Sequence, residues 1–437
     1  MSIASEITRL QTAKANIKTA INNKGGSLTN ETISSYATAI NNLPSGDLTI
    51  EGQQIITGIL TGTVDEFDTV YSKFISDGSN WDTVHNKLSN PADLPTGNSW
   101  GVSFSSDATY LAVAHQTTPF LTVYKRSGDT FTKLSGIVSP AGNSWGVSFS
   151  SDATYLAVGH STTPYLTVYK RSGDTFTKLS GIVAPTGTGY SVSFSSDATY
   201  LAVGHYSLPR ITVYKRSGDV FTKISIPSLP GDGYSVSFSS DDTYLAVAHG
   251  ASPYLTVYKR SGDTFTKLSG IEALAGQGQG VSFSSDDTYL AVTHWTSPRI
   301  TVYKRSGDTF TKLSIEALAG TGKGVSFSSD DTYLAVAHET TPFLTVYKRS
   351  GDTFTKLSGI VSPAGDGYSV SFSSDDTYLA VGHSTTPYLT VYKTTLINPT
   401  TLISPALNTI PLGYHDLGYA LESGVEDDEI EMVSIFR

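Results

Sequence analysis

Apolar and polar positions alternate along most of the chain in short runs. Val102-Ser103-Phe104, Tyr110-Leu111-Ala112-Val113 and Leu121-Thr122-Val123-Tyr124 are three successive runs, each bounded by turn residues. Runs of this length and composition predict strands. Between the first two, Ser105 to Thr109 is rich in side chains that bond their own backbone. Arg126-Ser127-Gly128-Asp129 reads as a tight hairpin, with Gly128 supplying a positive φ. A fourth strand, Thr130–Leu134, follows. Its Lys133 suits an outer edge, where a charge discourages pairing with another molecule.

The unit then repeats. The string VSFSSD begins at Val102, Val147, Val192, Val236, Val281, Val325 and Val370, at intervals of 44 or 45 residues. A four-stranded unit with a period in the low forties predicts the blades of a β-propeller. One blade cannot bury both faces, but seven in a ring can. The seventh copy stops after its third strand, without an RSGDTFTKL segment. Residues Trp81–Leu88, upstream of the first copy, read as an orphan fourth strand. Pairing it with the last copy would close a ring spanning residues 81–393.

The first copy, VSFSSDATYLAVAHQTTPFLTVYKRSGDTFTKLSG, resembles the WD-repeat class of propeller. The resemblance lies in strand order, in the turn before the second strand, and in Tyr124 at the place of the family's Trp. It departs at Lys125, which stands for the Asp of the WD pair, and in having no Gly-His pair before the first strand.

The expected fold class is therefore mainly β: a seven-bladed β-propeller with an N-terminal α-helical attachment domain and a small C-terminal β segment. Residues 1–46 make the helical domain. Ile3, Ile7, Leu10, Ile17 and Ile21, with Lys14 among them, form a heptad seam expected to oligomerise, with a trimer favoured. A second helix over Asn30–Leu43 ends at Pro44. Folding of the two helices on each other is the alternative use of that seam. Residues 47–80 read as a linker or small β segment, and 394–437 as a C-terminal β segment.

Composition narrows the function classes. The chain has no cysteine, a net charge of −10 and only 16% charged residues. Disulfides, thiolate metal sites and Cys nucleophiles are thereby excluded. The acidic balance argues against nucleic-acid binding. No apolar run approaches the roughly 18 residues of a membrane span, and the N-terminus shows no signal-peptide pattern.

The seven copies also differ in a patterned way. The SSD turn and the KRSGD hairpin, at one end of the blade, barely change. Variation gathers at the other end. Two residues before the first-strand Val the copies carry Trp100, Trp145, Tyr190, Tyr234, Gln279, Lys323 and Tyr368. After the second strand come Gln116, Ser161, Tyr206, Gly250, Trp295, Glu339 and Ser384. Before the third strand stand Phe120, Tyr165, Arg210, Tyr254, Arg299, Phe343 and Tyr388. Tyr, Trp and Arg dominate binding hot spots, and aromatic rings stack on sugar faces. This face is the candidate ligand-binding surface, with shallow subsites expected between blades. Drift after duplication is the simpler alternative.

His115, His160, His205, His249, His294, His338 and His383 share one position at the end of strand two. Symmetry spreads them around a ring, so they are expected to be structural; no metal and no cofactor are expected. The Lys-Arg pairs are expected to pair locally with the hairpin and turn aspartates. No enzyme activity is expected: SSDDTY lacks the Gly and Trp of a sialidase Asp-box, and identical blades do not bring unlike catalytic groups together.

Two terminal segments supply context. Ile7–Gly25 (ITRLQTAKANIKTAINNKG) resembles the opening of virion structural proteins of phages that infect Gram-positive bacteria. Leu412–Arg437 is similar to the β endings of such proteins. The resemblance implies a virion appendage, a receptor-binding tail fibre or baseplate protein. It would dock to other virion proteins through its N-terminal helices and bind a host-surface glycan or protein through the propeller. A head fibre or decoration protein, and a bacterial protein–protein scaffold, are the alternative functions.

Overall fold

The computed structural model describes residues 83–396 and, outside them, the strands Thr49–Ile50, Gln53–Leu60, Gly418–Ala420 and Ile430–Ile435. The expected helices, with Ile3, Ile7, Leu10, Ile17 and Ile21, lie outside the described residues. The chain divides into two compact units. One is residues 85–395; the other combines residues 1–84 with 396–437.

The larger unit is a ring of seven four-stranded antiparallel sheets. In blade 1 the strands are Ser99–Phe104, Tyr110–His115, Leu121–Ser127 and Thr130–Lys133. The second strand of every blade is buried at each of its residues. That follows from its sequence, an almost unbroken apolar Tyr-Leu-Ala-Val run sandwiched between two neighbours. Seven apolar clusters each join one blade to the next. The core is thus shared between blades and none has a core of its own.

The first strands run side by side around the centre and are inner edges with unpaired N–H groups. Serines of the preceding blade take several of these. Val102 N donates to Ser369 Oγ (3.1 Å) and Phe104 N to Ser371 Oγ (3.3 Å), which ties blade 1 to blade 7. At Gly101 there is no room for a side chain: a Cβ would lie 2.7 Å from the Trp145 carbonyl oxygen.

Blade 7 consists of Gly367–Phe372, Tyr378–His383, Leu389–Leu396 and, on its outer edge, Thr83–Lys87 from before the first blade. Leu88 N donates to Val391 O (2.8 Å), as Leu134 N does to Val123 O in blade 1 (2.8 Å). By that register His85 occupies the place of Phe131. It is 4% exposed and meets Tyr333 edge-on, with centroids 5.5 Å apart.

The smaller unit contains a second sheet. Gln53–Leu60 pairs antiparallel with Ile430–Ile435, from Ile55 opposite Ile435 to Leu60 opposite Ile430. Thr49–Ile50 and Gly418–Ala420 flank the pair. Strands from within the segment 47–80 and from the C-terminal segment, which the sequence treats separately, therefore meet in one sheet.

Candidate functional site: an aromatic collar on the variable face

The repeated Lys-Arg and Asp positions join blades. Asp174, in the hairpin of blade 2, accepts from Lys125 Nζ of blade 1 (2.8 Å) and from the Tyr110 hydroxyl. Arg171 lies over the Tyr110 ring at 4.9 Å and donates to Ala153 O (2.6 Å). The same Lys–Asp–Tyr clamp occurs at Asp129, Asp219, Asp263, Asp308 and Asp352. At the seam between blades 6 and 7 the closing strand brings no hairpin, and Tyr333 packs on His85. The clamped aspartates are held below the usual carboxylate range by these donors; at Asp174 Lys125 and then Tyr110 contribute most.

The opposite face is built differently. Each first strand carries a β-bulge at its start: Ser99 pairs with His115, then Gly101 with Ala114, leaving Trp100 unpaired. The shift recurs at Trp145, Tyr190, Tyr234, Gln279, Lys323 and Tyr368. The apolar pattern puts these residues before the first strand. They lie instead within the first strand, which starts three residues earlier than its apolar pattern indicates. A bulge bends the strand and re-aims the extra side chain. Here it gathers seven side chains around the central axis.

The aromatic part of the collar is continuous. Tyr368 stacks on Trp100 (4.0 Å between centroids, 8°), and Trp100 tilts against Trp145 at 4.7 Å. Trp145 meets Tyr190 edge-on at 5.7 Å, and Tyr190 meets Tyr234 at 5.5 Å. Five aromatic rings from blades 7, 1, 2, 3 and 4 thus form one arc, all half-buried. The indole N–H groups of Trp100 and Trp145 are buried and have no partner in the protein. Gln279 and Lys323 complete the circle. Lys323 Nζ is 3.0 Å from Glu339 Oε1, 3.5 Å from Gln279 Oε1 and 5.5 Å from the Trp295 ring centroid. The collar therefore has an aromatic sector and a polar sector.

The remaining variable positions lie outside the collar. Tyr206 and Trp295 are each 54% exposed. The residues before strand three, Phe120 to Tyr388, all have left-handed φ of 64–70°, a strained region for non-glycine residues. Two of them are engaged by the loop that leaves their blade. Arg210 bonds Asp232 Oδ1 (3.3 Å) and Leu229 O (3.1 Å), and Arg299 bonds Leu318 O (3.1 Å).

The seven histidines are fully buried at the same end of the blades. His115 Nε2 lies 3.0 Å from Thr122 Oγ1 on strand three, and the other six repeat the pairing at 2.9–3.0 Å. Burial lowers His115, His160, His249, His294, His338 and His383 to about 4, and His205 in the same direction. They are thus held neutral. Among the described residues no three His, Asp or Glu side chains are placed to hold a metal ion.

No protein-family model matches the chain, and no curated protein matches it in sequence. Solved structures do match. Hydrazine synthase of Kuenenia stuttgartiensis is similar at 14% identity and TM-score 0.55, over 70% of this chain and 97% of that one. The β-propeller domain of Cps50 (Swd1) from Myceliophteria thermophila is similar at 12% identity and TM-score 0.56, over 71% and 100%. A protein from Lactobacillus plantarum follows at 15% and 0.55, over 65% and 97%. The fold is that of a seven-bladed β-propeller. At these identities the likeness extends to the fold alone.

Proposed function

We propose that this chain is a non-enzymatic adhesion protein whose variable face binds a carbohydrate. The observation that supports it is the unbroken arc of Tyr368, Trp100, Trp145, Tyr190 and Tyr234 around the axis. Drift after duplication would scatter residue types over the seven bulges; five neighbouring aromatics form a coherent surface. Aromatic rings suit the apolar faces of sugar rings. The collar replaces the separate subsites between blades that the sequence suggested, so one propeller offers one composite surface. Display of several copies would raise avidity without a tight single site.

The setting proposed is a phage virion, as a tail-fibre or baseplate protein docked through its N-terminal residues. It rests on the resemblance of Ile7–Gly25 and Leu412–Arg437 to virion proteins. A glycan array probed with the full chain tests the reading. Hits lost on Trp100→Ala and on Trp145→Ala, with the fold retained, are expected. An array without hits would move the weight to a structural head-fibre or spacer role.

A further inference from the structure

A second feature of the variable face sets blade 4 apart from blades 5 and 6. A cavity of about 540 Å³ opens between the loop entering blade 4 and the loop leaving it. Its walls include Pro253 and Ile271, the hydroxyl residues Ser228, Ser252 and Ser269, and Lys267; no acidic residue lines it.

Lys267 stands at the end of the fourth strand, in the position that Lys312 and Lys356 hold in blades 5 and 6. The latter two meet a carboxylate: Lys312 Nζ is 2.7 Å from Glu272 Oε1, and Lys356 Nζ 2.7 Å from Glu316 Oε1. The equivalent residue before blade 4 is Pro227. The correspondence is fixed by the third-strand tyrosines, since Tyr258, Tyr303 and Tyr347 donate to the carbonyls of Pro227, Glu272 and Glu316 at 2.6–2.7 Å. Lys267 Nζ meets only the Ser228 carbonyl, at 2.6 Å. Blades 5 and 6 carry their own anion at this place. Blade 4 presents the cation without one, beside an open cavity walled by hydroxyls and apolar surface.

We propose that this cavity is a subsite for an acidic sugar, with the ligand's carboxylate on Lys267 in the position that Glu272 and Glu316 hold in the next two blades. The inference rests on the carbohydrate reading above but uses residues apart from the collar. Serine hydroxyls meet the sugar hydroxyls, and Pro253 and Ile271 meet its apolar face. A single exposed ion pair with a few hydroxyl contacts gives weak binding, on the order of millimolar.

The test is methyl NMR of the full chain titrated with D-glucuronate, D-glucose or acetate. Glucuronate should shift the methyl signals of Leu229, Leu255 and Ile271 saturably. Glucose, which lacks the carboxylate, should bind at least about tenfold more weakly, the factor a charge-assisted hydrogen bond supplies; acetate, which keeps the carboxylate but has no sugar hydroxyls or ring face, should also bind more weakly. Lys267→Gln should lose the same factor. So should Pro227→Glu, which builds in the carboxylate of blades 5 and 6. Unchanged melting temperatures show that both variants are folded. The proposal is overturned by absence of saturable shifts, by glucose or acetate matching glucuronate, or by either folded variant binding like the parent. Failure here with Trp100-dependent hits retained on the array removes the subsite alone; loss of those hits removes the carbohydrate reading itself.

Discussion

The two ends of the propeller are made from the same seven copies and have opposite rules. At the hairpin end blades 1 to 5 both give and receive. Lys125 and Tyr110 of blade 1 hold Asp174 of blade 2, while Asp129 of blade 1 is held by Lys393 and Tyr378 of blade 7. A change in one copy breaks a bond to a different copy, so all copies must agree. At the other end the side chains bond an adjacent loop, as Arg299 does to Leu318 O in the loop leaving its blade, or stack on one another around the axis. There the contacts themselves differ from blade to blade, from the stacked rings of Tyr368 and Trp100 to the ion pair of Lys323 and Glu339. Constancy marks shared interfaces; variation marks a surface free to acquire a ligand.

Acid should separate the two ends most strongly. The six histidines at about 4 and His85, also lowered to about 4 by burial, stay neutral in the fold but titrate near 6.5 when unfolded. Their contribution is complete above pH 6.5 and is lost as pH falls from 6.5 to about 4, because only the unfolded chain takes up protons there. Each pK unit is worth about 1.4 kcal/mol, so several such sites together rival the 5–15 kcal/mol of a typical domain. The clamp aspartates are lowered, so their contribution persists throughout that window and fades only below it. Urea unfolding between pH 7 and pH 4 should show a steep loss. Flat stability over that range would contradict the buried histidine ring.

Substitutions sharpen the same contrast. Tyr110→Ala removes a 3%-exposed ring that packs on Phe176 and carries the clamp. It should cost about 3–5 kcal/mol by urea unfolding, as large aromatic truncations in cores do. His85→Phe, which restores the residue found in the other six blades, should raise stability by about 1 kcal/mol at pH 7. It should also reduce the loss on acidification, because one proton-linked site is gone. A drop in melting temperature at pH 7 would show that the His85–Thr394 hydrogen bond at 3.0 Å outweighs an aromatic pair. Trp295→Ala, at an exposed variable position, should stay within about 0.5 kcal/mol.

Most of the ring is legible in the sequence because it is local and repeated. The turn residues, the period and the missing last hairpin specify seven blades and a borrowed strand at Trp81–Leu88. The collar is only half legible. Trp100 and its equivalents stand out by comparing copies, but the bulge does not. An apolar pattern that begins at Val102 gives no sign that Ser99 already pairs with His115. The inter-blade clamps join side chains nearly 50 residues apart, and no spacing within one copy shows that Lys125 reaches forward to Asp174. The pairing of Gln53–Leu60 with Ile430–Ile435 is hidden for the same reason: strands so distant leave no shared local signal.

The central claim is that the aromatic collar is a binding surface and the hairpin face a structural one. The most direct measurement is carbohydrate binding by three full-length proteins on one glycan array: the parent, Trp100→Ala and Tyr110→Phe. Tyr110→Phe weakens a clamp without touching the collar. The account predicts that the parent and Tyr110→Phe bind the same glycans and that folded Trp100→Ala loses them. Equal binding by parent and Trp100→Ala, or loss in Tyr110→Phe alone, would contradict it.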